Sequence, residues 1–320
     1  MQNALGSIKR LIVKVRLIFQ VTLLLLCGIS STNLMARDLA EIQAEGVLRH
    51  LGVPYANFVS QYVEGNKVNH SGLDIELMQN FAEHIGVKYE FVPAQWTNVF
   101  GMLTGRNGQF IDNKVVYSSP EPIVGDIIAN GLTILDWRRE LVDFSDDYFP
   151  SAVWLVARTE SELNPIKPSD SLFDDIRMVR ALLKDRDILA MKQSCLDPDL
   201  YDLEGAHANV ILPAKQLQLN EMVPFLLNIE AEATLLDVAD SLIAIEKWPN
   251  KIKVIGPISE DQKMAIGFRK DSPQLRAAFN KYLKQIRADG SYNRLVRKYY
   301  PTVFHYYQDY FETATLGSSQ

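Results

Sequence analysis

Residues 125–149, GDIIANGLTILDWRRELVDFSDDYF, decide the fold. The stretch begins with an apolar strand at 127–129 that ends in the turn residues Asn130-Gly131. A short charged helix is predicted over 136–141, and a second strand, or strand end, at 142–145. A strand, a turn and a helix in this order are typical of an open α/β sheet.

The same stretch carries polar groups at the place where such sheets bind ligands. Backbone N–H groups, the Thr133 hydroxyl and a guanidinium, that of Arg138 or Arg139, follow the carboxyl end of the first strand. Small ligands bind at that edge of an open sheet. An arginine there suits a carboxylate, since it can donate two parallel hydrogen bonds. The stretch therefore predicts the floor of an anion-recognising cleft.

Composition is that of a globular protein with one large or two medium domains. The chain has 320 residues, of which 47% are hydrophobic and 22% charged, and its net charge is −6. Residues 1–36 contain basic side chains and no acidic ones, so the rest of the chain is more acidic still. An acidic body without basic runs argues against nucleic acid or an anionic membrane as the partner.

The N-terminal 36 residues have the order of a secretory signal. Basic residues up to Arg16 precede an apolar run at 17–29, and small and polar residues follow. An uncleaved membrane anchor is the alternative, but the run is shorter than the roughly 20 apolar residues of a membrane span. Cleavage is expected after Ser30 or after Ala36. We therefore expect export to the periplasm.

Downstream of the signal, strands and helices alternate. Gly105 to Gly125 is rich in glycine, asparagine and proline and is predicted to be an inserted hairpin or loop, and 69–72 is predicted to be a turn. A single cysteine, Cys195, remains after the signal, so no intrachain disulfide is expected and the thiol should be sheltered. Strands are predicted at 47–53, 88–92, 151–158, 187–191, 210–212, 233–237, 254–256 and 263–269, and helices at 73–85, 99–103, 217–227, 273–289 and 291–300.

From about Glu45 to Pro301 the chain resembles the extracellular solute-binding proteins of ABC importers, family 3, the amino-acid-binding type. Each of the blocks that carry the resemblance is short, and they occur in the family's order. They are GVL at 46–48 with YANF at 55–58, SGLDIEL at 71–77 with GVKYEF at 86–91, the stretch 125–149, and IGFRK at 266–270 with DGSY at 289–292 and on to Tyr300.

The resemblance implies a type II periplasmic-binding-protein fold: two α/β lobes joined by two crossing strands, with the ligand between them. The crossings would lie near Val153–Val156 and Pro257–Met264. Lobe 1 would then be discontinuous, and lobe 2 would be the middle insert. The expected organisation is a signal peptide at 1–36, lobe 1 at 37–153 and 264–312, lobe 2 at 154–263 and a flexible tail at 313–320.

Four residues match the part of the family's site that holds the ligand's backbone groups. Arg138 matches the arginine that binds the α-carboxylate, although in isolation it also reads as a solvated charge on a helix. Thr133 and the backbone of Gly131 fall where carboxylate and ammonium are bound. Asp237 matches the acid that pairs with the α-ammonium, and its sequence context also suits a helix N-cap.

The remaining site residues match the closing lobe and the side-chain pocket. Ser194 and Cys195 match the lobe-2 turn that closes over the carboxylate at a helix N-terminus. Tyr55 and Trp96 match the aromatic walls around the ligand side chain, though a tryptophan alone is more often core.

The sequence also departs from the family at several positions. Gln193 replaces a glycine, Cys195 a common threonine, and Leu135 a frequent threonine or serine. Gly52 occupies a place where binders of cationic amino acids carry an acid, which argues against lysine, arginine or ornithine. The insertion at 105–125 is not typical of the simplest members.

The resemblance implies a monomeric binding protein, not an enzyme, that passes an amino acid or related carboxylate to an ABC permease in the inner membrane. No cofactor, metal or catalytic residue is expected: the five histidines have no metal spacing and no G-x-S-x-G or phosphate-binding loop occurs. Two alternatives remain. One is a periplasmic enzyme on the same fold, like cyclohexadienyl dehydratase; the other is a ligand-sensing or partner-docking module.

Overall fold

The computed structural model describes residues 37–111, 114–214, 219–228 and 231–316, so the predicted signal peptide lies outside the described residues. The strands, in chain order, are β1 Val47–Gly52, β2 Ser60–Glu64, β3 Lys67–Ser71, β4 Lys88–Pro93, β5 Arg106–Ile111, β6 Lys114–Pro120, β7 Ile127–Ile128, β8 Asp143–Phe144, β9 Phe149–Ser151, β10 Val153–Arg158, β11 Asp187–Leu189, β12 Asn209–Ile211, β13 Ala233–Asp237, β14 Ile252–Pro257, β15 Gln262–Met264 and β16 Gly267–Phe268. The helices are α1 Leu39–Glu45, α2 Leu73–His84, α3 Val99–Thr104, α4 Asp136–Leu141, α5 Leu172–Ala181, α6 Met222–Asn228, α7 Val238–Lys247, α8 Pro273–Ala288, α9 Ser291–Tyr299, α10 Val303–Tyr306 and α11 Gln308–Leu316, with short 3₁₀ helices at Pro198–Tyr201 and Leu219–Glu221.

The first lobe is built on a five-stranded sheet with the order β4-β1-β7-β16-β8. Strands β4, β1 and β7 are parallel, whereas β16 is antiparallel to both of its neighbours. The late strand β16 therefore lies inside a sheet whose other strands come from the first half of the chain. The predicted segment 125–149 supplies β7, α4 and β8, and α4 has the predicted bounds.

The second lobe is built on a separate five-stranded sheet with the order β12-β11-β13-β10-β14. Strands β12, β11 and β13 are parallel, and β10 runs antiparallel to β13 and β14. All of these strands come from one continuous part of the chain. Both sheets belong to one compact unit that begins at Asp38.

The chain passes between the sheets through a two-stranded antiparallel ladder of β9 and β15. Ser151 pairs with Gln262 in this ladder, and Phe149 with Met264. The prediction of a crossing at Pro257–Met264 overlaps β15, but the other predicted crossing, Val153–Val156, is wrong because β10 belongs to the second sheet. Ala152 separates β9 of the crossing ladder from β10 of the second sheet, and its carbonyl accepts a hydrogen bond from the Val238 N–H.

Several elements differ from the sequence prediction. The turn predicted at 69–72 is wrong, because most of it belongs to the hairpin of β2 and β3. The side chains of both strands are largely exposed, so the sequence lacks the alternation of buried and exposed residues that usually indicates a strand. Helices α1 and α5 were not predicted, and α7 was predicted only through the alternative interpretation of Asp237 as a helix N-cap. The last helix, α11, runs to Leu316, past the boundary at 313 at which a tail was expected. No helix in the described ranges is long and apolar enough to cross a bilayer.

Helix α8 is confirmed, and the residue that caps it comes from another part of the chain. The Ser272 hydroxyl accepts a hydrogen bond from Arg269 Nη2 at 3.2 Å and does not cap the helix. Instead, the Asp38 carboxylate accepts hydrogen bonds from the Gln274 and Leu275 N–H groups at 3.1 and 2.7 Å. Asp38 also caps α1, so one side chain ties the start of the first lobe to its last long helix.

Candidate functional site

Arg138 lies on α4 and is completely buried, at 0% exposure. Its guanidinium carbon is 5.2 Å from the ring centroid of Trp96 and 5.2 Å from that of Trp137. The next residue, Arg139, is exposed and lies over Phe144. The interpretation of Arg138 as a solvated charge is therefore wrong.

The Arg138 guanidinium has unused hydrogen-bond donors. Nη1 donates to the Thr133 carbonyl at 2.9 Å, whereas Nε and Nη2 have no hydrogen-bond partner among the described residues. Burial lowers the pKa of this guanidinium, but an arginine keeps its proton in proteins. Since unpaired buried donors are costly, and Nε and Nη2 are the pair that can face one carboxylate side-on, this arrangement fits a bound carboxylate.

Thr133 lies where the first lobe meets the crossing ladder. It forms an isolated antiparallel bridge with Met264, and on either side of it Ala265 N–H donates to the Leu132 carbonyl and Ile134 N–H to the Lys263 carbonyl. The Thr133 hydroxyl oxygen is buried, has no hydrogen-bond partner of good geometry within the described residues, and lies close enough to the Cys195 thiol to lower the pKa of that group. It is thus a second unpaired polar group beside Arg138.

Asp237 ends β13 and is buried, at 1% exposure. Its Oδ1 accepts a hydrogen bond from the Ala239 N–H at 2.8 Å, so the predicted helix N-cap is confirmed. Its Oδ2 accepts one from the Ser151 hydroxyl. Burial raises the pKa of Asp237 to about 6, against the effect of these hydrogen bonds and of the Arg138 charge. The acid and the arginine are close enough to influence each other.

Tyr55 and Trp96 lie next to these charged groups. Their rings meet edge to face with centroids 6.5 Å apart. Both are buried, and neither the Tyr55 hydroxyl nor the Trp96 indole N–H has a hydrogen-bond partner of good geometry in the described parts of the chain. The Tyr55 hydroxyl is nevertheless close enough to the Asp237 carboxylate to lower the pKa of that group. Burial and the Asp237 charge raise the pKa of Tyr55. Both side chains belong to the core beside Arg138 and Asp237, and their role as walls around a ligand stays a prediction.

The lobe-2 turn differs from the arrangement that the sequence suggested. The Ser194 hydroxyl donates to the Met191 carbonyl at 2.8 Å and accepts from the Leu196 N–H at 2.9 Å, so its only hydrogen is used inside the turn. The predicted helix start is a four-residue 3₁₀ helix, and the Asp197 carboxylate already caps it through the Asp199 N–H. The Ser194 hydroxyl and this helix end are therefore occupied within the protein, and a role of the Ser194 and Cys195 backbone N–H groups in binding an anion stays a prediction.

Cys195 is buried beside the site. Its carbonyl accepts a hydrogen bond from the Tyr201 hydroxyl. Burial raises the pKa of the thiol to about 12, although the nearby Arg138 charge opposes the rise. The thiol is therefore neutral and sheltered, as the sequence predicted.

Gly131 has a structural use for its backbone amide. Its N–H donates to Asp74 Oδ2 at 2.7 Å, and the Tyr148 hydroxyl donates to the same oxygen at 2.7 Å. The Gly131 amide is therefore used by Asp74, whereas the role of the Gly131 carbonyl, the other part of the predicted backbone contact, stays a prediction. The glycine is required by its φ of +64°, and a Cβ there would lie 2.5 Å from the Phe58 ring.

Trp137 and Ser151 were missed by the sequence prediction. Trp137 precedes Arg138, and its place in the helix gave a signal, since a tryptophan next to an arginine can cover the guanidinium. Ser151 gave none, because its partner Asp237 is 86 residues away. Among the described residues no group of three histidine, cysteine or acidic side chains could hold a metal ion.

The fold and this site define a class of protein. Two α/β lobes are joined by a crossing ladder, and a buried arginine with unpaired donors lies close to a buried aspartate. This is the architecture of the type II periplasmic binding proteins. The family model of the bacterial extracellular solute-binding proteins, family 3, matches residues 124–302, and the chain belongs to this family.

Three proteins illustrate the range of functions found among proteins similar to this chain. The lysine/arginine/ornithine-binding periplasmic protein of Escherichia coli is 26% identical over 80% of this chain and 86% of its own length. The membrane-bound lytic murein transglycosylase F of Desulfosudis oleivorans is 22% identical over 72% of this chain, which spans only 44% of that relative. The crystal structure of an ancestral amino-acid-binding protein, a precursor of cyclohexadienyl dehydratase, superposes with a TM-score of 0.59 at 23% identity and covers 82% of this chain and 99% of its own.

These relatives bear on function at a coarse level. Members of the family are periplasmic or extracellular, and the Escherichia coli relative of which this chain spans 86% is a binding protein. The fold alone is also shared with a dehydratase precursor and with part of a transglycosylase.

Proposed function

We propose that this protein captures a free amino acid or a related small carboxylate between its lobes and delivers it to an ABC importer. One observation carries the proposal: Arg138 is fully buried with two donors unpaired among the described residues, and Asp237 is buried nearby. A ligand with both a carboxylate and an ammonium group complements this pair of charges.

The expected contacts follow from the free polar atoms. Nε and Nη2 of Arg138 and the Thr133 hydroxyl hold the carboxylate, Asp237 the ammonium, and Tyr55 and Trp96 border the ligand side chain. Ser194 and Cys195 contribute the wall of the second lobe and no charged contact. Hydrogen bonds to charged groups contribute about 1.5–3 kcal/mol each. Micromolar affinity requires about 8.2 kcal/mol, so packing and lobe closure supply the rest.

The ligand side chain is expected to carry no positive charge. Gly52 carries no acid, and a Cβ at this position would lie 2.4 Å from the Phe91 ring, so an acidic side chain does not fit. This distinguishes the chain from its relative in Escherichia coli that binds lysine, arginine and ornithine. An amino acid without a cationic side chain is the ligand class that agrees with both observations.

The cellular setting belongs to the same proposal. Residues 1–36 act as a cleaved signal peptide, and the mature protein works in the periplasm as a monomer that meets a permease of the inner membrane. The proposed lobe boundaries are 37–153 with 264–312 for the first lobe and 154–263 for the second, with the first crossing moved to β9. The Arg138 and Thr133 side chains then belong to lobe 1 and Asp237 to lobe 2, so closure brings the two halves of the site together.

A thermal-shift screen of the mature chain from Arg37 against amino acids, small peptides and carboxylates tests the proposal. A ligand at a hundredfold excess over its dissociation constant stabilises the protein by about 2.7 kcal/mol. Arg138→Ala should abolish the shift. Arg139→Ala is the matched control, because the neighbouring arginine is exposed, and should keep it.

Other outcomes of the screen would replace the proposal. A shift that survives in Arg138→Ala would remove Arg138 from the site. Arogenate and prephenate belong in the same screen with product formation followed, since turnover would favour the enzymatic alternative. A screen without any shift would favour a sensing or docking module.

A further inference from the structure

Gln193 and the hairpin of β5 and β6 form a direct contact that the site described above does not include. The Gln193 side-chain Nε2 donates to the Phe110 carbonyl at 2.7 Å. The Phe110 N–H donates to Gln193 Oε1 at 2.9 Å. One primary amide thus satisfies both backbone groups of one strand residue.

This contact joins the two lobes. The hairpin is inserted between α3 and β7, so both of its ends are connected to the first lobe. Gln193 follows β11 of the second sheet and lies in the turn that precedes Cys195. The two hydrogen bonds therefore extend from one side of the cleft to the other.

The geometry of the hairpin leaves Phe110 free for this partner. In an antiparallel pair the N–H and the carbonyl of one residue point to the same side of the strand. At Phe110 that side faces Gln193, so the side-chain amide continues the ladder where β6 does not. The Phe110 ring stacks on Trp137 with centroids 5.8 Å apart and an interplanar angle of 19°. The hairpin is thereby held against the helix that carries Arg138.

The backbone at Gln193 is unusual for a residue with a long side chain. Its φ is +61°, in the left-handed region that favours glycine. The Asp197 carboxylate holds this conformation by accepting the Gln193 N–H at 2.8 Å. Glycine would adopt this positive φ without strain, but glycine has no side-chain amide that could bond to Phe110. The strained conformation directs the side chain toward the hairpin.

We propose that Gln193 is a positioning residue that fastens the 106–120 hairpin to the second lobe in the closed protein and so slows the release of ligand. The inference rests on the proposed capture function. The hairpin extends from the first lobe, and the two hydrogen bonds of the Gln193 side-chain amide, here called the fastening, attach it to the second lobe. Loss of the fastening should increase the rate of ligand dissociation and leave the rate of association, which begins from the open protein, nearly unchanged.

Two variants separate the fastening from backbone relaxation. Gln193→Gly removes the amide and also relieves the positive φ, so it should not impair folding. His207→Gly is the matched control, because His207 is an exposed residue of the second lobe with a φ of +58°, close to that of Gln193. Gln193→Glu keeps an acceptor for the Phe110 N–H but opposes a carboxylate to the Phe110 carbonyl.

The first measurement uses no ligand. Spin labels at Glu83→Cys and Lys184→Cys, two exposed positions on different lobes, report the distance between the lobes by pulsed electron resonance. We expect Gln193→Gly and Gln193→Glu to shift the distribution toward longer distances, and His207→Gly to leave it unchanged. A distribution that is the same in all four proteins would overturn the proposal.

The second measurement uses the amino acid found in the thermal-shift screen. Stopped-flow mixing should show a dissociation rate about tenfold faster in Gln193→Gly, equivalent to about 1.4 kcal/mol, with the association rate within twofold of the parent. An unchanged dissociation rate would refute the fastening while leaving the capture function intact. If no amino acid binds, the capture function fails and the spin-label distances still decide whether Gln193 joins the lobes.

Discussion

Replacing Arg138 by methionine separates what this side chain does for ligand from what it does for folding. Methionine is long and apolar, so it can fill the space between Trp96 and Trp137 without a charge. We expect the variant to lose ligand-induced stabilisation completely. The ligand-free protein, in contrast, should keep a free energy of unfolding close to that of the parent.

The expected magnitude follows from the contacts of the guanidinium. The variant loses the hydrogen bond to the Thr133 carbonyl, about 1.5–3 kcal/mol, and three contacts with aromatic rings, about 0.5–2 kcal/mol each. It also removes two buried donors without partners among the described residues, each of which costs about 1–3 kcal/mol. These terms offset each other, so the net change should stay within about 2 kcal/mol of zero.

Urea unfolding of the ligand-free proteins at pH 7 measures this change. Arg139→Met is the control and should lie within about 0.5 kcal/mol of the parent, because that side chain is exposed. A loss of more than about 4 kcal/mol in Arg138→Met would refute the reasoning, because it is the size expected when a partner of a buried pair is removed. Nε and Nη2 would then be satisfied within the protein in solution.

Three further changes have clear expected results. Burial raises the folded-state pKa of Asp237 to about 6 from its ordinary 3.8, so the parent should gain stability as pH falls from about 7 to about 4 and should lose affinity for an amino acid below about pH 6. Thermal melting of Asp237→Asn should lack this gain in stability. Melting temperatures that change in parallel with pH in the two proteins would argue against the raised pKa of Asp237. Gly131→Ala should lower the free energy of unfolding in urea by roughly 2–5 kcal/mol, since it combines a positive φ with overlap of the Phe58 ring; a change below about 1 kcal/mol would contradict the tight contact. The Cys195 thiol, with its pKa raised to about 12, should react with a disulfide reagent only as fast as the protein opens, and labelling at the rate of a free thiol would contradict its burial.

Local sequence pattern was sufficient where the structure depends on neighbours in the chain. The stretch 125–149 and the bounds of α4 followed from the order of apolar, turn and charged residues. The choice between Arg138 and Arg139 did not follow from them. Adjacent helix residues differ by about 100° in direction, and the direction that is buried is fixed by Trp96, which comes from another part of the chain.

Two polar groups of the predicted site are occupied for a common physical reason. Gly131 and Ser194 have the residue types of a binding site, but the Gly131 amide is used by Asp74 and the Ser194 hydroxyl by the turn itself. Asp74 is 57 residues from Gly131, so no local pattern reveals that the amide is occupied. The contact of Gln193 with Phe110 spans 83 residues and is equally invisible in the sequence.

The interior position of β16 has a consequence for the order in which the lobes can form. All strands of the second sheet lie between Val153 and Pro257, whereas the first sheet needs Gly267–Phe268 between β7 and β8. A chain that emerges from its N-terminus can therefore complete the second lobe while β7, beside the arginine-bearing segment, still has an unpaired edge. Such edges invite aggregation and long-range pairing is slow. The half of the cleft that carries Arg138 is thus the last to become stable and the first to be lost when the C-terminal part of the chain is removed.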